Sequence, residues 1–442
     1  MPSGALPGFR DFYPTEFAER AHIMRAWRDV ARRFGFVEYD GPPLESLELY
    51  TRKSGDEIVG QLYAFEDKGG RQVALRPEMT PTFARMVGAR AGALRKPVRW
   101  FSVPQLFRYE RQQKGRLREH FQLNVDIVGE TDVVADAELL AVAVEIMRAL
   151  GLGPDDVRAR VSDRRLLAAL LADLGVTEAQ LPAVYAAVDK IEREPRASLE
   201  RKLADAGVAG EVVTALYALV AERSFDDVRA DLAARPALAE HLARLDAYLE
   251  ALDALGVREW VQVDLTIVRG LAYYTGIVFE LFDARGEFRA ICGGGRYDNL
   301  LAALGGTDLP ALGFGMGDVV LGELLRARGL LEIGAPAVDY WVVAGEDVPP
   351  AAVLRAASAL RRRGLSADYV LNAGKLATQK TRAQLQTAQK AGAARALVVR
   401  ADGTAEVRAL RDEPGAEPMI VRLDELDTAA AVGDAAASPS PL

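Results

Sequence analysis

The sequence predicts a mixed α/β protein: an α+β domain with an antiparallel sheet over residues 1–330, a helical insertion inside it at about 163–252, and a C-terminal α/β domain at 340–426. Three observations carry this. Residues 107–129, FRYERQQKGRLREHFQLNVDIVG, read as an antiparallel hairpin: WFSVPQLFRYE before it has strand composition, HFQLNVDIV alternates with a period of two, and Gly115 supplies the turn in a charged tip. From Asp163 to about Leu252 the chain becomes Leu/Ala-rich and helical, with little strand signal. From Tyr340 onward, strands alternate with helices, which suggests a small domain of mostly parallel strands.

In chain order, Phe17, Ile23, Trp27, Val30 and Phe34 recur at helical spacing, and Gly35 ends a helix over 16–35. FVEYDGPPLES reads as strand broken by Pro42 and Pro43, so it belongs at a sheet edge or a domain contact. Residues 61–67 and 71–75 flank a KGG turn and form a hairpin. PEMTPTFARMVGAR begins a helix, with Thr80 as its cap before Pro81. ADAELLAVAVEIMRALGL is a helix with a Gly stop, and 153–161 is a strand. The helical region carries stops at Gly175, Pro182, Pro195, Gly207 and Pro236. Strand character returns at WVQVDLTIV, YYTGIVFELFD and FRAICGGGRYD, and ALGFGMGDVVLGELL reads as a strand entering a helix. Residues 331–339 link to the last domain, which holds a helix at 377–391. Residues 427–442 have nothing to pack and are expected to be disordered.

At 442 residues the chain is too long for one ordinary core. No run reaches the length of a membrane span, and MPSGALPGFRDFYP lacks the blocks of a signal peptide, so a cytoplasmic location is expected. The single Cys292 excludes internal disulfides and thiolate zinc sites, and three scattered histidines argue against a His-based metal site. A net charge of −8 excludes a protein coated in basic surface, but not local basic patches.

The period of two places Gln122, Asn124 and Asp126 on one face of a strand that otherwise looks buried. Buried polar rows need partners, and a bound ligand is the simplest one. There is no P-loop and no GxGxxG, so any ATP handling falls to side chains on a sheet, with Arg108 and Arg269 as the obvious cations. CGGGRYD requires either a tight bulge or close approach of a planar ligand to the backbone. GFGMG fits close strand–helix packing or nucleotide contact.

Taken together, RPEMT, FRYERQQKGR, NVDIVG, VRGLAYYTG, CGGGRYDNL and GFGMG resemble the histidyl-tRNA synthetases, which are class II aminoacyl-tRNA ligases, over roughly residues 5–425. VRGLAYYTG is the most specific piece, similar to the histidine signature. FRYERQQKGR resembles motif 2, and GPPLES resembles the end of motif 1, which implies a homodimer. The resemblance implies a class II antiparallel catalytic sheet, a C-terminal anticodon-binding domain, and ligation of L-histidine to histidine tRNA through an adenylate made from ATP with Mg²⁺. It implies that Arg108 and Arg269 are catalytic and hold the α-phosphate. Glu78, Thr80 and Gln122 would bind histidine at its ammonium end, Asp126 and Tyr274 at its ring with Tyr273 adjacent, and Met79 would belong to the same site. Arg108, Glu110, Arg116 and Arg269 would bind ATP.

Three positions depart from the family pattern. Asp126 stands where Glu is usual, Ala272 where Asp is usual, and Val320 where motif 3 commonly has the arginine that meets the ATP phosphates. Position 320 is expected to face the ATP site all the same. A rival reading is the synthetase-like regulatory subunit of ATP phosphoribosyltransferase. Such paralogues usually lack the last domain and lose the signature and motif 2 arginines, all present here. Arg355, Arg361, Arg362, Arg363, Lys375, Lys380 and Arg382 against a lone Asp368 form a basic strip suited to RNA phosphates.

Overall fold

A computed structural model describes residues 4–51, 60–110, 115–268, 274–331, 333, 338–410 and 418–426. They fall into two compact units, residues 1–11 with 23–332 and residues 12–22 with 333–442. Among the described residues no helix is long and apolar enough to cross a membrane.

The first unit opens with part of the helix Pro14–Arg33, whose Ile23, Trp27 and Val30 are buried as the spacing predicts, whereas Phe17 is exposed and lies under the Arg20 guanidinium. Its strands are β1 (Val37–Glu38), β2 (Leu44–Ser46), β3 (Ala64–Glu66), β4 (Gln72–Leu75), β5 (Val98–Ser102), β6 (Gln105–Phe107), β7 (Glu119–Val128), β8 (Val157–Asp163), β9 (Val261–Val263), β10 (Ile277–Asp283), β11 (Cys292–Arg296) and β12 (Ala311–Gly317). Strands β2-β4-β3 form a small sheet. The others form one large sheet in the order β1-β5-β7-β12-β11-β10-β8-β9, with β6 also on β7. Its pairings from β5 to β8 are all antiparallel, and only the outermost pairs β1–β5 and β8–β9 are parallel.

The central hairpin forms as its alternation predicts, but its first arm is two short strands, β5 and β6, separated at Val103 and Pro104. Proline cannot donate to a ladder, so the break falls there. Pro42 and Pro43 lie between β1 and β2, each at the edge of its sheet. Thr80 does not cap: the helix is Thr80–Arg90, its N-cap is Met79, and no side-chain cap bond forms. CGGGR forms no bulge, since Cys292–Arg296 pair residue for residue with β12. A Cβ on Gly294 would lie 2.3 Å from the Gly313 carbonyl oxygen, so crowding by the next strand explains the small residue.

Six α-helices, from Arg164–Asp173 to Ala239–Ala254, separate β8 from β9. Gly175 and Gly207 end helices with positive φ, while Pro182 lies in the first turn of the next one, where its missing N–H costs nothing. The helix Asp318–Ala327 follows β12 directly.

In the second unit, β13 (Tyr340–Ala344), β14 (Ala367–Asp368), β15 (Arg395–Val399), β16 (Thr404–Ala409) and β17 (Met419–Arg422) form a sheet in the order β14-β13-β15-β16-β17. Only half its pairings are parallel: β15–β16 and β16–β17 are antiparallel, which corrects the expectation of a mostly parallel sheet. The helix expected at 377–391 is two helices, Ala373–Thr378 and Thr381–Lys390. Val342, Leu360, Leu397 and Val399 form its core. Residues 427–442 lie outside the described residues.

Candidate active site

Strand β7 sorts its side chains by parity. Leu123, Val125 and Ile127 point into the core, while His120, Gln122, Asn124 and Asp126 share the other face. Strand β12 runs opposite with Gly317, Gly315 and Gly313 paired to Gln122, Asn124 and Asp126. At Gly313 and Gly315 the polar side chains lie across the glycine, whereas a Cβ on Gly317 would meet nothing within 4 Å. A Cβ on Gly313 would sit 2.1 Å from Asp126 Oδ1, and one on Gly315 would sit 2.7 Å from Gln122 Nε2. The first two glycines of GFGMG are thus explained by the polar row of the neighbouring strand, an alternative that sequence reasoning did not weigh.

The row opens into two adjoining cavities that share Arg108, Gln122 and Gly315. The first is lined by Glu78, Thr80, Asn124, Asp126, Tyr274, Tyr297 and Phe314. Asp126 is buried there and accepts a hydrogen bond from the Tyr297 hydroxyl. Burial pushes the Asp126 carboxyl up to about 7, and the Tyr297 bond works against that rise. Burial also raises Glu78, opposed by the Arg108 charge. Gln122 Nε2 donates to Asn124 Oδ1 at 2.8 Å, and Asn124 Nδ2 donates to the Gln122 backbone carbonyl at 3.2 Å, so the backbone orients the Asn124 amide and that amide orients Gln122. Arg108 is held by its Nε, which donates to the Pro77 carbonyl at 2.9 Å.

The second cavity is lined by Glu110, Arg116, Leu117, His120, Ile291, Cys292, Val319 and Val320. Glu110 lies 3.4 Å from the Arg116 Nε and 3.9 Å from Arg108. His120 contacts Gln122 Oε1 at 3.4 Å, and burial and the Arg108 charge lower its pKa to about 4, so it is neutral at physiological pH. Val320 faces this cavity, close enough that a Cβ on Gly115 would be 3.3 Å from its Cγ2. Behind the site, Arg10 pairs with Glu119 at 2.6 Å and Asp318 at 2.9 Å, and Asp318 accepts from the Phe121 N–H at 2.9 Å, fixing the start of β7 to the helix that carries Val320. A larger cavity between β2, β4 and the helix Leu47–Thr51 shares none of these residues.

The structure therefore gathers Glu78, Thr80, Arg108, Gln122, Asp126 and Tyr274 at one cavity and Arg108, Glu110 and Arg116 at the other. Met79 is the exception: it does not line either cavity, because its side chain is buried in the core against Arg76 and beside Gly41. Arg269, Ala272 and Tyr273 lie outside the described residues. Sequence reasoning missed Tyr297 and His120. Tyr297 directly follows the glycine-rich strand, and its aromatic ring at that strand end was the available signal. His120 shares parity with the polar row, which would have found it.

An antiparallel sheet flanked by helices, carrying arginines at a hairpin beside a buried polar pocket, is the catalytic domain of a class II aminoacyl-tRNA synthetase. A family profile described as histidyl-tRNA synthetase matches residues 8–317. The chain is 48% identical over 373 residues to a histidine–tRNA ligase of Opitutus terrae, covering 83% of this chain and 85% of that one. It is 42% identical over 365 residues to the chloroplastic/mitochondrial histidine–tRNA ligase of Arabidopsis thaliana, covering 82% and 74%. The fold matches the crystal structure of histidyl-tRNA synthetase from Nostoc with a TM-score of 0.81 at 23% identity, over 97% of this chain and 98% of that one. The chain belongs to the histidyl-tRNA synthetase family.

Proposed function

We propose that the protein activates L-histidine with ATP and transfers it to histidine tRNA. The observation that carries this is Asp126, buried with Tyr297 and Tyr274 in a cavity that shares Arg108 with the cavity next to it. An imidazole ring presents two nitrogens, and the Asp126 carboxyl and the tyrosine hydroxyls supply partners for both. Glu78, Thr80 and Gln122, nearer Arg108, meet the ammonium. The substrate carboxylate then lies at Arg108, where one of its oxygens attacks the α-phosphorus and pyrophosphate leaves. Two anions are brought together there, so a fixed guanidinium is the required group. Arg269 would act from the other side, and Tyr273 beside the ring. Arg116 and Glu110 hold the ATP in the second cavity.

Mg²⁺ accompanies triphosphates and binds mostly through phosphate oxygens, water and one or two carboxylates. Glu110, the carboxylate lining the second cavity, would be the protein group to meet it. Residues 340–426 read the anticodon. Arg355, Arg361, Arg362, Lys375, Lys380 and Arg382 are exposed for this role, although Arg361 also donates to the Ala367 carbonyl, and the half-buried Arg363 donates to the Leu426 carbonyl. The protein works as a homodimer in the cytoplasm. Histidine-dependent pyrophosphate exchange, followed by charging of histidine tRNA, tests the reading. Absence of exchange together with binding to an ATP phosphoribosyltransferase would overturn it in favour of a regulatory subunit.

A further inference from the structure

The helix Arg164–Asp173 opens the helical region and begins with two arginines. Cations are unfavourable at a helix N-terminus, where the backbone already presents positive charge. Asp163 supplies the cap, accepting from the Arg165 N–H at 2.8 Å, so helix formation gives no reason for either arginine. Both reach away from their own helix. Arg164 Nη1 donates to the Val268 carbonyl at 2.8 Å. Arg165 Nε donates to the Thr275 carbonyl at 2.9 Å, and its Nη2 lies 3.2 Å from Asp298 Oδ2. The Thr275 hydroxyl donates to the same Asp298 oxygen at 2.9 Å, and the Thr275 N–H donates to the Arg296 carbonyl at 2.7 Å. Thr275 is thereby held on three sides. Its neighbour Tyr274 is 6% exposed and lines the cavity that contains Asp126. On its other side, the Arg164 guanidinium lies 4.6 Å above the ring of Tyr185 in the helix Leu181–Val188.

We propose that Arg164 and Arg165 are positioning residues for the amino-acid cavity, fixing the backbone at Val268 and Thr275 and so tying Tyr274 to the helical region 164–254. The proposal rests on the reading of that cavity as the histidine site. It makes the helical region part of the amino-acid site, because a shift of its first two helices moves the anchors of a cavity wall.

The test uses the full-length protein. Histidine binding is measured by calorimetry, and the KM for ATP by pyrophosphate exchange, with melting temperatures for every variant. Arg165→Met should weaken histidine about tenfold, the loss of a half-exposed charge-assisted contact, with the ATP KM unchanged. Arg165→Lys should recover part of this, since an ammonium still reaches one acceptor. Tyr185→Leu, remote from the cavity, should weaken histidine about threefold through the lost stacking. Arg165→Met combined with Tyr274→Phe should be less than additive, because both act on one contact. Unchanged histidine affinity with a lowered melting temperature, parallel loss of both substrates, or strict additivity would overturn the proposal. A wild type that binds histidine but catalyses no exchange defeats the synthetase reading alone, and the binding ratios still decide the anchors. A wild type that binds no histidine defeats both.

Discussion

The two cavities on β7 differ in how their walls are held. The cavity proposed for the amino acid is built largely from side chains on paired strands: Asp126 and Asn124 are buried, the Gln122 amide donates to the Asn124 amide, and Gly313 and Gly315 leave room for the row. The cavity proposed for the nucleotide is bounded by Gly115 and Arg116 and by the aliphatic Val319 and Val320, and the Arg116 side chain is about half exposed. A rigid wall suits discrimination among amino acids, because a substrate that leaves a buried polar group unpaired is heavily penalised. A looser wall suits a triphosphate, whose charge can be met by any cation within reach. If the proposed sites are right, a valine at position 320 should cost little, while loss of a polar group on β7 should cost much.

The sharpest way to break the contrast is Asp126→Asn. An amide cannot match the carboxylate's acceptor set, so kcat/KM for histidine should fall on the order of 10⁴-fold in pyrophosphate exchange, with ATP binding intact. A loss under tenfold would show that the ring is read elsewhere.

The same variant should be the more stable protein at neutral pH. Burial raises the Asp126 carboxyl from 3.8 to about 7. A raised folded-state pKa means that its contribution is full below pH 3.8 and is lost as pH rises through 7. Between pH 5 and pH 8 the wild type should lose about 3 kcal/mol relative to Asp126→Asn, read from paired denaturant melts of the ligand-free proteins. A constant difference across that range would mean that the carboxyl is not destabilised by its site.

For the other cavity, Arg116→Ala should weaken ATP roughly ten- to hundredfold and leave histidine affinity alone. Equal effects on both substrates would erase the division between the cavities. Gly313→Ala should do the reverse, raising the histidine KM about tenfold through displacement of Asp126, since small-to-large changes in a packed wall are rarely absorbed. The smallest effect is expected from Val320→Arg, about threefold at most in ATP affinity, if Arg108 and Arg116 serve the phosphates as proposed. A gain of a hundredfold would show instead that the cavity lacks a cation.

Much of this was legible in the residues. Alternation along HFQLNVDIV is a local property, so it places Gln122, Asn124 and Asp126 on one face whatever surrounds them. The helical region and the strand–helix unit ending in Asp318–Ala327 follow from periodicity in the same way. The resemblance to a known family supplied roles for Glu78, Thr80 and Arg108, and the structure brings those residues to one cavity, whereas it leaves Met79 in the core. What local pattern cannot supply is the identity of neighbours across strands. Tyr297 bonds to a carboxylate 171 residues away, and Gly313 matters only because β12 lies against β7. The depth of Asp126, and hence its proton affinity, depends on every element that covers it. Only the tertiary structure decided these, because the pairing of distant strands determines which side chain meets which and how much water remains between them.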